Sequence, residues 1–240
     1  MNQEQIEKHS TTQSVILHLL PGILVGCFYF LARQPVARMG YPSIFALLLA
    51  LAVILIPFEL GFLLYQGKKK TGRVTLQGII SYQNSIPWWQ YFVWVGIIFV
   101  IVGAIMALLE PVDSFLQKNL FFWMPAINSG LDGFYSKTIL IVTYSMFLIF
   151  NVFLAPMVEE LYFRGYLLPR MKGKFAILFH SFLFAAYHIF SPWMIIAITL
   201  GFLPILFGVK KKNIYLGIIT HILCNSVGFV TGIVFISKMT

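Results

Sequence analysis

Glu159 and Glu160 are adjacent carboxylates inside an apolar stretch, NVFLAPMVEELYFRGYLLPRM, and beyond Asp132 the chain has no other acidic residue. Carrying a charge into hydrocarbon costs from about 2.5 kcal/mol upward, so such groups face a cavity or a partner. Arg164 follows Glu160 by one helical turn, a spacing that puts both on one face as an ion pair. Glu159 is turned about 100° away on the same helix and has no basic residue at that spacing, which leaves it free for other work. Further along, His188 closes FLFAAYH and His221 opens HILCN, with Asn225 one turn after His221 on the same face.

The inventory is therefore a carboxylate, two imidazoles and a carboxamide, supplied by three separate helices. Antiparallel helices bring such groups together in bundle proteins. A carboxylate and a histidine activate water as general base, and a second histidine with an asparagine donates to a developing oxyanion. The set suits amide hydrolysis by water. It lacks a convincing nucleophile, because Cys224 is offset from the face that carries His221 and Asn225. Glu159, His188 and His221 are also acceptable zinc ligands, but they come from three helices rather than from one paired motif, so spacing gives weak support for a metal. His180 matches no pattern and reads as structural or interfacial. His18, in the first span, is placed to meet another helix.

The elements that must position these groups are membrane spans. Apolar residues make up 59% of the chain and charged ones 10%, against roughly 45–50% and about 25% in soluble domains. The excess comes in runs of the length that crosses about 30 Å of hydrocarbon. Spans are expected near residues 15–32, 43–66, 88–109, 137–168, 175–190, 192–208 and 213–236. The fold class is thus all-α, a polytopic transmembrane bundle of about seven spans, or eight if the long 137–168 run crosses twice. Pro156 in that run predicts a kink or break. Residues 74–87, leading into Trp88 and Trp89, read as an interfacial segment, and residues 110–136 as an outer loop. The division expected is 1–136 as N-terminal helices and loops and 137–240 as the catalytic core.

The net charge is +9, and eleven of the 17 Lys and Arg fall on one side of a seven-span arrangement, against five on the other. Orientation explains this better than a nucleic-acid partner, and it sets the N-terminus inside, the cytoplasmic side. Glu4, Glu7 and Lys8 do not make the basic n-region of a cleaved signal peptide. Cys27 and Cys224 both lie in apolar runs, which excludes a disulfide framework. The 24 Phe residues read as lipid-facing and packing surface.

EELYFR (Glu159 to Arg164), FAAYH (Phe184 to His188) and HILCN (His221 to Asn225) resemble, in order, the EExxxR, FxxxH and HxxxN/D motifs of the CPBP intramembrane proteases. That family includes the CAAX-type prenyl endopeptidase and the bacterial Abi proteins of bacteriocin processing and immunity. The resemblance covers roughly residues 137–236. It implies that Glu159, with His188, activates water, that His221 and Asn225 stabilise the oxyanion, and that Glu160 and Arg164 form a structural pair. It implies a peptide or membrane-anchored protein substrate, a lipid bilayer as surroundings, and a bacterial plasma membrane as location. Members are often classed as metalloproteases, while the eukaryotic prenyl protease is argued to be a glutamate protease, so the cofactor stays open between none and zinc. The expected function is an intramembrane endopeptidase, working in a cavity open to the inner side. The alternatives are a non-catalytic binding or immunity protein that uses the same pocket, and a proton-coupled transporter, for which repeated halves are missing.

Overall fold

The computed structural model describes residues 6–211 and 213–239. Glu4 and Lys212 therefore lie outside the described residues. The described residues form seven helices and no strand. They are α1 (Thr11–Arg38), α2 (Ser43–Thr71), α3 (Trp88–Asn119), α4 (Lys137–Arg170), α5 (Ala176–Tyr187), α6 (Ile195–Lys211) and α7 (Ile214–Ser237). All but α5 are long and apolar enough to span, α6 with the tight turn Pro192–Met194 that precedes it. The chain is an integral membrane protein with the helical architecture expected.

Local signals mark the helix starts. Ser10, Ser136 and Asn213 accept from the backbone N–H groups of Gln13, Ile139 and Tyr215, capping α1, α4 and α7. Gly72, at φ 75°, ends α2 in the left-handed region that a glycine enters without strain.

Proline does not break the α4 run. Helix continues from Lys137 to Arg170, with two stretches of wider turns, Phe147–Leu154 and Glu160–Leu167. In them an N–H bonds five residues back, as from Ala155 to Phe150 and from Leu168 to Phe163. Pro156 and Pro169 follow two residues after these stretches, and Pro57 follows a third, Leu51–Leu55, in the same way. A proline has no N–H to give and its ring crowds the carbonyl four back. Widening the turn relieves the crowding without breaking the helix.

Each carbonyl freed in this way needs another donor, because a lipid-embedded bundle offers no water to satisfy it. With Ala155 bonded to Phe150, the next carbonyl, Asn151, faces only Pro156. It is taken by the Asn225 amide of α7 at 2.8 Å. In α1, Pro21 leaves the Leu17 carbonyl free, and the Tyr162 hydroxyl of α4 donates to it at 2.8 Å. The prolines thus create interhelical links, one of which holds a candidate site residue.

The structure refines two segments, one of them a correction. Residues 110–119 are helical, since α3 runs on through Pro111 to Asn119, and the loop proper begins at Leu120. Residues 74–87, read as interfacial, lead into the exposed Trp88 and Trp89 and also reach into the bundle. Ile79 and Ile80 are buried, Ser81 N–H donates to the Gly165 carbonyl, and the Tyr82 carbonyl accepts from Ile214 N–H. Apolar side chains and unsatisfied helix-end groups draw this segment across the end of α4 and α7. One apolar core runs through both halves of the chain, from Val25 to Ile236.

Candidate active site

α5 spans twelve residues, about 18 Å at 1.5 Å per residue, so it reaches only about halfway through the hydrocarbon. It packs against α6, which returns to the same end. His188 caps the inner tip of α5. The same rise puts Glu159 about 16 Å from Arg170, and Asn225 the same distance from Ile214, since each pair is eleven residues apart. The candidate groups thus share one level near the middle of the bundle.

Glu160 and Arg164 form the ion pair that their spacing predicts, at 3.3 Å and with both side chains fully buried. The guanidinium lies 3.8 Å from the Phe184 ring centroid and 4.9 Å from that of Phe202, so aromatic faces replace water around the charge. Glu160 does more than hold Arg164. The same Oε1 accepts from His221 Nδ1 at 3.0 Å, which leaves His221 Nε2 directed to the Glu159 side, 3.8 Å from its Oε2. Glycine permits this approach of α7 to α4: a Cβ on Gly217 would stand 2.6 Å from Glu160 Oε2.

Glu159 is 6% exposed. Its Oε1 accepts from the Tyr187 hydroxyl at 3.1 Å. Tyr187 is fixed in turn by Gly22 of α1, where any Cβ would collide with the Tyr187 carbonyl. No hydrogen bond or ion pair joins His188 to Glu159 among the described residues. His188 Nδ1 donates to the Phe184 carbonyl at 2.9 Å, so its Nε2 keeps the lone pair.

Glu159, His188, His221 and Asn225 all line one cavity of about 740 Å³. Its walls come from α2, α3 and α6 as well, through Leu47, Phe99, Met106, Trp193 and Phe202. Cys224 lines it too, although its helical offset had suggested otherwise; as the sequence implies, it and Cys27 are free thiols. His180 stays outside. Its Nδ1 is 2.9 Å from His18 Nε2, and His18 Nδ1 donates to the Ser14 carbonyl at 2.6 Å. The pair ties α5 to α1, so His180 has a structural part and His18 meets another helix.

A zinc site does not fit. Among the described residues no three His, Cys, Asp or Glu side chains gather closely enough to hold a metal ion, whereas zinc needs three or four ligands at about 2.0–2.3 Å around one point. Glu159, His188 and His221 share a cavity without converging in it.

Sequence reading missed three participants. Tyr187 sits beside the motif histidine and gave no separate signal. Asn151 acts through a backbone carbonyl, visible only once Pro156 is seen to free it. Glu59 on α2 is fully buried, with both oxygens lacking a hydrogen-bond partner, and it interacts electrostatically with Glu159 and Arg164. An acid inside an apolar span was a readable signal there.

The fold and site define a helical membrane protein whose polar groups line one cavity at mid-depth in an otherwise apolar core. Residues 141–227, a segment that holds every motif residue, match the family model described as Type II CAAX prenyl endopeptidase Rce1-like, in agreement with the motif resemblance. No curated protein and no solved structure matches the chain significantly.

Proposed function

We propose that the chain is an intramembrane endopeptidase that hydrolyses a peptide or membrane-anchored protein with water activated by Glu159. The observation that carries this reading is the setting of Glu159. It is an acid in a mostly apolar cavity, held by Tyr187 and facing the free nitrogen of a histidine whose other nitrogen is bound to Glu160.

In this mechanism Glu159, assisted by His188 Nε2, takes a proton from water, and the hydroxide attacks the substrate carbonyl carbon. The carbonyl π bond opens and its electron pair moves to oxygen. Asn225 has two amide protons: one is committed to the Asn151 carbonyl, and the other is available to that oxyanion. His221 Nε2, when protonated, is the second donor. Collapse of the intermediate breaks the C–N bond, and Glu159 returns its proton to the leaving amine. No step requires a metal. Residues 137–240 supply the reacting groups, and residues 1–136 supply walls. In this reading the N-terminus is cytoplasmic, which the excess of Lys and Arg on that side supports, and the bacterial plasma membrane is what the family resemblance implies. Hydrolysis of library peptides by the purified protein in detergent tests the activity, and its absence in Glu159→Gln tests the residue.

A further inference from the structure

Two features of the bundle lie at opposite ends. The Lys68–Lys70 run with Arg73, the stretch from Arg170 to Lys174, and Lys210–Lys211 close α2, α4 and α6 at one end. Lys8 joins them, donating to the Pro169 carbonyl at 2.6 Å. The other end holds Ser43, Lys137 and the 120–136 loop. There Asn128 N–H donates to Ser43 Oγ at 2.7 Å, and Lys137 donates to the Met239 carbonyl at 2.7 Å.

The cavity leads away from the basic end. Its lining includes Gln117, Ala126 and Ile127 and no residue of the basic clusters. Gln117 and Ala126 also line a shallow hollow with Lys118, Phe121 and Pro125, which continues the path to the loop surface. Toward the basic end the site is sealed. The Glu160–Arg164–His221 cluster forms its floor. Beneath that, Ile80 and Ile214 close on Gly165, so tightly that a Cβ there would come within 2.8 Å of both. This overturns the expectation of a cavity open to the basic, inner side.

The positive-inside rule makes the basic end cytoplasmic. The cavity lining contains Glu159, His188 and His221 but no other ionisable side chain apart from Tyr187 and Cys224, and no lysine or arginine. Burying an unpaired charge there would be costly. We infer that the site opens to the outer face of the membrane and takes an uncharged, apolar stretch of peptide presented from that side. The orientation stands on the charge pattern and cavity geometry alone; the substrate class rests on the endopeptidase reading.

Cysteine labelling separates the two. In a Cys27→Ala, Cys224→Ala background, Lys118→Cys and Lys69→Cys each place one thiol at an exposed position, at opposite ends. A membrane-impermeant maleimide applied to intact cells labels Lys118→Cys at least tenfold faster than Lys69→Cys, and permeabilisation removes the difference. The reverse order, or equal labelling of both in intact cells, overturns the orientation. A reporter peptide cleaved by the detergent-purified protein is then given to sealed vesicles. Right-side-out vesicles cleave it at the rate seen after detergent, and inverted ones at least tenfold more slowly. A lysine on either side of the scissile bond lowers kcat/KM at least tenfold. Cleavage from the inverted side, or indifference to the lysine, overturns the substrate assignment. Absence of any cleavage in detergent removes the endopeptidase reading instead, and labelling still decides the orientation.

Discussion

Glu160 holds His221: one carboxylate oxygen lies 3.0 Å from the imidazole Nδ1 and 3.3 Å from the Arg164 guanidinium. A residue whose spacing implies only a structural pair therefore also orients a histidine of the site. Glu160→Gln weakens both links at once. Removing one partner of a buried ion pair costs about 3–5 kcal/mol, so with the Arg164 partner gone the variant melts well below wild type in detergent. Glu160→Asp keeps the charge and recovers part of the Tm. A Glu160→Gln protein with unchanged Tm contradicts the pairing.

Tyr187 donates to the Glu159 carboxylate, the proposed general base, and Phe at that position preserves the ring packing. A hydrogen bond to a charged group contributes about 1.5–3 kcal/mol. Tyr187→Phe is expected to keep its Tm within a few degrees and to lose about 10- to 100-fold in kcat. Steady-state kinetics beside a melting curve checks this, and an unchanged kcat argues against the contact.

Asn225 answers to two partners. Asn225→Ala removes the proposed oxyanion donor, a group worth about 10²–10³ in kcat, and orphans the Asn151 carbonyl. Pro156→Ala offers that carbonyl an N–H from its own helix and so releases the Asn225 amide. The Pro156 variant is expected to lose kcat more than it raises KM, although it touches no substrate. Loss confined to KM would place Asn225 in binding alone.

Metal removal is a separate test. With the candidate ligands spread around the cavity and not gathered at one point, prolonged dialysis against a strong chelator leaves kcat unchanged. Loss of activity that zinc restores would contradict the metal-free mechanism.

The division between what could and could not be read from the sequence has physical causes. Span lengths and the Glu160–Arg164 pair were legible because a helix has one rise and one period. The three-helix gathering of Glu159, His188, His221 and Asn225 in one cavity was legible from polar groups in apolar runs, supported by the motif resemblance. The direction in which the cavity opens was not, because it depends on α5 stopping halfway and on Ile79 to Tyr82 sealing one end, and neither follows from local pattern. A kink or break was expected at Pro156 because helix rules describe one helix alone, and the structure widens the turn without interrupting the helix. The bundle tolerates it, since α7 supplies the missing donor.

The central claim is that Glu159 activates the water, and the most direct measurement is hydrolysis of a peptide library by purified wild type beside Glu159→Gln. Gln keeps the shape and still accepts from Tyr187, so the variant retains its fold and elution profile. The account predicts cleavage by wild type and a loss of at least about a thousandfold in the variant, in line with removal of a general base. A folded Glu159→Gln protein that cleaves at the wild-type rate would contradict it.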